Sequence, residues 1–267
     1  MPETNNNRKW LTMRIGRGTL AFATTTDDGS GIIYEPYVVK SGISMAANLR
    51  EAFKKADLLL EPPMRVRVMT DTDVLMVPVD LFSEDTMDQM YYHAFPQTAQ
   101  DAVYHNVLPD LNAVAVFSMN RDLRLVIDDH FRDVKLIAAI SPVWRYLHQR
   151  SFTGNRNKLY GYFHEKHIDI FSFQQNRFKF CNTFKAERAH DSLYFLLYIW
   201  KQLQLQPEHD ELHIVGDIMD SEWLVAELKK YLQNAYVINP SADFNRAQVT
   251  EIKGMPYDMQ TLFVKGR

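Results

Sequence analysis

The sequence has one cysteine, Cys181, so no internal disulfide can form and an oxidising compartment is not implied. Cys181 sits in the run Arg177-Phe178-Lys179-Phe180-Cys181 and reads as an inert core thiol, because reactive cysteines need accessible, electropositive surroundings. Glycine is scarce, with 10 in 267 residues, and nothing in the composition is fibrous or of low complexity. No basic excess exists: 30 Lys and Arg stand against 33 Asp and Glu, for a net charge of -3, which argues against a nucleic-acid binder. No run approaches the ~18 apolar residues of a membrane-spanning helix. The most apolar helix, around Leu193 to Leu205, is interrupted by Lys201 and glutamines. The start, MPETNNNRKW, is polar and lacks the pattern of a secretory leader, so a cytoplasmic location is expected.

Apolar residues are abundant. They make up 46% of the chain and aromatics 12%, enough for one large or two medium cores. The chain opens with three short predicted strands, Trp10 to Gly16, Thr19 to Thr26 and Gly31 to Lys40. Asp27-Asp28-Gly29-Ser30-Gly31 supplies turn chemistry between the last two. Ser44 is positioned to cap a helix running to about Leu59, with Met45, Leu49, Ala52, Phe53 and Ala56 at helical spacing and Pro62-Pro63 to stop it. Strands are expected at Arg65 to Met69 and Val74 to Val79, and Ser83 is expected to cap a short helix with an acidic start, to about Phe95. Strand and helix then alternate: Ala113 to Met119, Asp122 to Phe131, Val134 to Ile140, Val143 to Phe152. That pattern predicts parallel β–α units.

Ser151 to Asn157 is polar and aperiodic, the best linker in the chain. After it the opening pattern returns. Lys158 to His164, Ile168 to Phe173 and Arg177 to Phe184 read as strands, with turns at Glu165-Lys166-His167 and Gln174-Gln175-Asn176. A long helix from about Arg188 to Leu205 ends before Pro207. Strand, helix and strand follow at Glu211 to Gly216, Ser221 to Leu232 and Ala235 to Ile238, then a last helix near Tyr257 to Val264. Three antiparallel strands joined to further β–α units is the order of the ribonuclease-H-like fold. Two such units in tandem make the two-lobed actin-like ATPase architecture, an α/β fold. The expected lobes are residues 1–152, with a small inserted subdomain at about 65–110, and residues 157–267.

The segments MRIGRGTLAFATT, LHIVGDIMDSEWL and GMPYDMQTLFVKGR resemble a family of uncharacterised Bacteroidetes proteins that carries a domain-of-unknown-function label and has an actin-like ATPase fold. The likeness spans essentially the whole chain, but none of these segments is a catalytic signature. The layout is also similar to that of the pilus assembly protein PilM. There a strand–turn–strand segment like Val66 to Leu81, followed by an acidic helix start such as Ser83-Glu84-Asp85, forms a small inserted subdomain.

The resemblance implies a nucleotide cleft, and the residues of this chain fit one poorly. Such a cleft needs a glycine-bearing hairpin in each lobe, whose backbone N–H groups cradle phosphates, with an Asp two residues before a Gly to hold the metal. The first hairpin keeps Gly16, Gly18 and Thr19, with Arg17 between the glycines, but the Asp position is Arg14. The second hairpin, His164-Glu165-Lys166-His167, has no glycine. The adenosine loop keeps only Gly216, followed by Asp217, which would repel phosphate. Gly16, Arg17, Gly18, Thr19 and Gly216 are thus the weak candidates for nucleotide contact. ATP hydrolysis is not expected, and no cofactor, metal or catalytic residue is assigned.

Other chemistry has less support. A two-metal nuclease needs converging carboxylates, and Lys158 to His164 carries none. His164 and His167 lack partners at a zinc spacing and read as exposed turn residues. Asp128-Asp129-His130 reads as a solvated helix end. The basic group Arg145, His148, Arg150, Arg156 and Lys158 reads as a solvated surface that an acidic partner could touch. No Gly-x-Ser-x-Gly elbow exists, and Gly16-Arg17-Gly18 lacks the third glycine of a dinucleotide fingerprint. Two functions remain. One is a non-catalytic scaffold for another protein, without nucleic acid or membrane insertion. The alternative is a nucleotide- or metabolite-binding switch with an altered inter-lobe cleft.

Overall fold

The structure, a computed structural model, describes residues 10–60, 65–152, 155–174 and 177–264. In chain order the first half contains β1 (Trp10–Ile15), β2 (Leu20–Thr25), β3 (Ile32–Tyr37), α1 (Met45–Ala52), α2 (Asp57–Leu60) and β4 (Arg65–Thr70). Next come β5 (Val74–Pro78), α3 (Glu84–Ala94), β6 (Ala102–Leu108), β7 (Ala113–Met119), α4 (Arg121–His130), β8 (Val134–Ala138) and α5 (Ser141–Ser151). The second half contains β9 (Lys158–His164), β10 (His167–Gln174), β11 (Arg177–Lys185), α6 (Ala189–Gln202), β12 (Glu211–Gly216), α7 (Ser221–Leu228), β13 (Ala235–Val237), α8 (Pro240–Asp243) and α9 (Tyr257–Phe263).

Two five-stranded sheets share one topology. The first runs β3-β2-β1-β4-β8 and the second β11-β10-β9-β12-β13. In each, the first three strands form an antiparallel meander and the last two extend it in parallel. The opening strands of the two halves do not merge into one sheet.

Side-chain alternation along a strand sorts residues between two faces. On β1, Leu11, Met13 and Ile15 join an outer core with Leu49 of α1 and Leu123 and Ile127 of α4. On β9, Leu159 and Phe163 join the outer core of the second sheet with Leu196 of α6 and Leu224 of α7. The intervening residues serve a third core between the sheets, where Ala21, Met69, Trp144, Tyr160, Tyr162, Phe171 and Tyr257 meet. Arg14 and His164 occupy the same alternate positions on β1 and β9, so both point to the space between the sheets. Among the apolar residues of the second half, Phe163, Ile170, Phe171, Leu196 and Ile214 are buried, while Phe178, Phe180, Leu193, Leu197 and Trp223 are only partly so.

Some local expectations change. The helix begun by Ser44, whose Oγ accepts from the Ala47 N–H at 3.2 Å, does not run to Leu59. It breaks after Ala52, and the Glu35 carboxylate of β3 caps a new start by accepting from the N–H groups of Asp57 and Leu58, both at 2.9 Å. Pro62-Pro63, Thr153 and Gly154 of the Ser151 to Asn157 linker, and Gln175-Asn176 of the second turn lie outside the described residues. Arg65–Thr70 belongs to the first main sheet, whereas Val74–Pro78, Ala102–Leu108 and Ala113–Met119 form a separate three-stranded sheet. β7 is the centre of a small antiparallel sheet, β5-β7-β6, and is not a parallel β–α strand as its sequence suggested. β6 escaped the sequence reading because its side chains are half-buried with no clear alternation. It docks on the first sheet through Asn106. That side-chain amide donates to the Leu136 carbonyl at 2.9 Å and accepts from the Ala138 N–H at 3.0 Å.

Candidate functional site

The first hairpin turns through Gly16 to Thr19, closed by the Gly16 N–H donating to the Thr19 carbonyl at 2.8 Å. The second turns through Glu165 and Lys166 alone, both at positive φ, 41° and 63°. This tight turn carries the Glu165 side chain across to the first hairpin. One carboxylate oxygen accepts from the Gly18 N–H at 2.7 Å. The other accepts from Thr19 Oγ1 at 2.6 Å and from Arg14 Nη1 at 2.7 Å. Backbone N–H, hydroxyl and guanidinium are the groups that would receive a phosphate oxygen in such a loop. Here a carboxylate of the same chain occupies them.

Arg14, 2% exposed, is the hub. Its Nε lies 2.9 and 3.0 Å from the two oxygens of Asp258, at the start of α9, and its Nη2 lies 3.5 Å from Asp71, just beyond β4. His164 extends the network: Nδ1 meets Asp71 at 2.8 Å and Nε2 meets Asp169 at 2.7 Å. Thr183 Oγ1 donates to the other oxygen of Asp169. Arg17 reaches Asp71 at 3.3 Å and Asp73 at 2.7 Å.

The candidate residues therefore separate. Gly18 and Thr19 contribute directly to the seat taken by Glu165. Gly16 lies against it so closely that an added Cβ would stand 1.9 Å from a Glu165 oxygen. Arg17 turns instead to Asp71 and Asp73. Gly216 does not reach the seat. Its φ of +103° lets β12 approach the Phe163 backbone, where a Cβ would fall 2.1 Å from the carbonyl oxygen. The exposed-turn reading of His164 is overturned, since it is 7% exposed and bridges the two halves. His148 and Lys158 are buried too, so the basic group near the linker is not one solvated patch; there Arg145 pairs with Asp110, Arg150 with Asp243 and Arg156 with Glu211.

The profile of a family described as protein of unknown function, DUF3822, matches residues 2–235. This chain belongs to DUF3822. No curated protein matches it. A crystal structure of a protein of actin-like ATPase fold and unknown function from Bacteroides thetaiotaomicron is similar at 26% identity, with all of both chains covered and a TM-score of 0.85. A PilM–PilN type IV pilus biogenesis complex is similar at 12% identity, with 95% of this chain and 96% of the other covered and a TM-score of 0.58. The DUF3822 chain has the actin-like ATPase fold.

In this DUF3822 member the site is strongly ionic. Arg14, Arg17 and a charged His164 face Asp71, Asp73, Glu165, Asp169 and Asp258, three cations to five carboxylates. Burial alone would neutralise His164, but Asp71 and Asp169 outweigh it and raise the imidazole to about 10. Burial likewise opposes ionisation of Asp71, yet His164, Arg14 and Arg17 hold it well below the usual carboxylate range. For Asp258 burial is the strongest influence and raises its pKa, with Arg14 opposing. The excess of carboxylates disfavours any anion in the space. Among the described residues, no group of three or more His, Cys, Asp or Glu is placed to hold a metal ion. A cavity of about 540 Å³ remains beside the network, lined by Tyr34, Tyr37, Tyr162, Glu165, Asp217 and Tyr257 among others. The Tyr34 hydroxyl spans between the halves by donating to the Gly254 carbonyl at 3.0 Å.

Sequence reading identified the defects of the cleft but missed the network. Asp169 and Asp258 drew no attention because each is a lone acid between apolar residues, and Asp71 because Thr70-Asp71-Thr72-Asp73 reads as a polar loop. For the first two, that setting was itself the available signal, since an unpaired carboxylate is rarely buried.

Proposed function

We propose that this chain is a non-catalytic actin-like-fold protein that serves as a cytoplasmic protein-binding scaffold, its two lobes, residues 1–152 and 157–267, joined across the cleft by a seam. The observation that carries this reading is the Glu165 carboxylate held by the Gly18 N–H, Thr19 Oγ1 and Arg14 Nη1. Phosphoryl transfer needs a metal and cradled phosphates. In this seam Arg14 stands where a metal-holding Asp would be, and Glu165 fills the cradle. The similar PilM is found in a complex with PilN, which supports a protein as the partner.

Titration calorimetry with MgATP tests the reading. The wild-type protein should give no binding heat, and its melting temperature should not move. Micromolar binding that Thr19→Val weakens would overturn the scaffold reading. It would favour a second one, a nucleotide or metabolite switch, to which the 540 Å³ inter-lobe cavity gives some support.

A further inference from the structure

The seat that holds Glu165 is organised by groups outside the second hairpin. The Gly18 N–H belongs to the first turn, which the backbone bond from Gly16 to Thr19 closes. Thr19 Oγ1 accepts from Arg14 Nη1 at 3.0 Å, and Arg14 Nε is fixed against both oxygens of Asp258. Three donors thus converge on one carboxylate at 2.6–2.7 Å, and Glu165 supplies only that carboxylate. A receptor built in this way favours any carboxylate that reaches it, because little ordering is left to be done on binding.

The seat is within reach of a ligand. Arg14, Thr19 and Glu165 all lie on the wall of the 540 Å³ inter-lobe cavity. Gly18 and Thr19 are exposed, and the Glu165 side chain keeps 16% exposure, so water already touches the seat and Glu165 has a path out. Beyond the seat the wall is formed by Tyr34 and Pro36, which share one face of β3, and by Pro256. The bond from the Tyr34 hydroxyl to the Gly254 carbonyl brings these two sides together. The cavity has the size and the apolar lining of a site for a small organic molecule.

Charge decides which molecule. The surplus of carboxylates opposes an added anion, but it does not oppose an exchange. One carboxylate enters as Glu165 moves out to water, and the charge of the site is unchanged. Asp217, on the same wall, opposes a second negative charge on the ligand. From this we infer that the inter-lobe cavity binds a small aromatic monocarboxylate, its carboxylate replacing Glu165 on the Gly18 N–H, Thr19 Oγ1 and Arg14 Nη1 and its ring lying against Tyr34, Pro36 and Pro256. Binding releases the grip of the second hairpin on the first and leaves the Arg14–Asp258 and His164–Asp71 pairs in place. The inference rests on the seat that carries the scaffold reading, and the two fail separately. Binding of MgATP would overturn that reading, while silence toward a carboxylate overturns only the exchange.

Calorimetry and thermal shift with benzoate at constant ionic strength test this, with benzamide as the neutral control. The wild-type protein should respond at millimolar benzoate, since a tethered competitor such as Glu165 acts at an effective concentration on the order of millimolar. Glu165→Ala removes the competitor and should bind benzoate at least about tenfold more tightly, with a larger rise in melting temperature. Glu165→Gln keeps the volume and withdraws the charge. It should also bind more tightly than wild type, and it carries the test if the alanine variant does not fold. Adding Thr19→Val to either variant should weaken binding at least about tenfold, the contribution of one hydrogen bond to a charged group. Benzamide should bind to none of them. No benzoate response from the wild type or from a folded variant, equal affinity of wild type and variant, equal binding of benzamide, or affinity that Thr19→Val leaves unchanged overturns the inference.

Discussion

The two hairpins occupy equivalent places in sheets of one topology, yet they are built oppositely. The first spends four residues on its turn, two of them glycines, and presents bare backbone. The second uses two residues, both with side chains and both at positive φ. Glycine or asparagine is the usual solution for that turn. Left-handed backbone at a residue with a Cβ costs roughly 1–2 kcal/mol. The difference is therefore a matter of complementarity: one hairpin is a socket, and the other tolerates strain to supply a plug.

The strongest way to break this comparison is to remove the hub. Arg14→Leu leaves Asp258, Asp71 and Glu165 facing one another without their shared cation. Removing one partner of a buried ion pair costs about 3–5 kcal/mol. Denaturant unfolding should show a loss of that size, and a loss under about 1 kcal/mol, on the same scale, would mean that the halves do not rely on the network.

Next is the clip from His164. Its folded pKa of about 10 lies above the ordinary 6.5, so its contribution is full below pH 6.5 and fades as pH rises toward 10. Asp71 has the opposite sign: its pKa is depressed, so its contribution is present above about pH 4 and lost on acidification. Stability should form a plateau between these limits. His164→Gln should lower that plateau by about 1.5–3 kcal/mol and should remove much of the alkaline decline. Unchanged alkaline behaviour, followed by chemical denaturation across pH, would show that His164 is neutral in the fold.

A smaller effect probes the fit of plug in socket. Gly16→Ala would push on Glu165, Thr19 and Arg14 together, with a Cβ 1.9, 2.3 and 2.5 Å from their atoms. Overpacking of this kind costs about 1–3 kcal/mol. Combining it with Glu165→Ala should cost less than the sum of the two single changes, because the nearest clash disappears. Strict additivity would separate Gly16 from the plug. The smallest effect sharpens the comparison from the other side. Lys166→Gly should raise stability by about 0.5–1 kcal/mol, because relief of left-handed backbone, about 1–2 kcal/mol, exceeds the extra entropy glycine loses on folding, about 0.5–1 kcal/mol, and Lys166 makes no contribution to the seat. A clear loss in thermal melts would mean that its side chain matters there.

The fold was legible because it rests on local periodicity. Leu11, Met13 and Ile15 alternate on β1 as Leu159 and Phe163 do on β9, and the hairpin–strand–helix order recurs after the linker. The seam was half legible. Arg14 in place of Asp and the glycine-free second turn were plain in the sequence, so the weakness of a phosphate site was too. What filled the site was not, because Arg14, Asp71, Glu165 and Asp258 are distant along the chain and converge only when β1, β4, the second turn and α9 are packed. His164 misled for a related reason. A histidine beside a turn is usually exposed, but here the alternation of β9 points it inward toward Asp71, far away in sequence.

Asn106 has a consequence for growth of the molecule. An open sheet edge is a template on which a strand from another chain can dock. At β8 the amide of Asn106 already makes the two hydrogen bonds that an arriving strand would seek at Leu136 and Ala138. One side chain thus does the blocking work of a further strand. It closes this border of the first sheet to strand addition and ties the small sheet that carries β6 to that border.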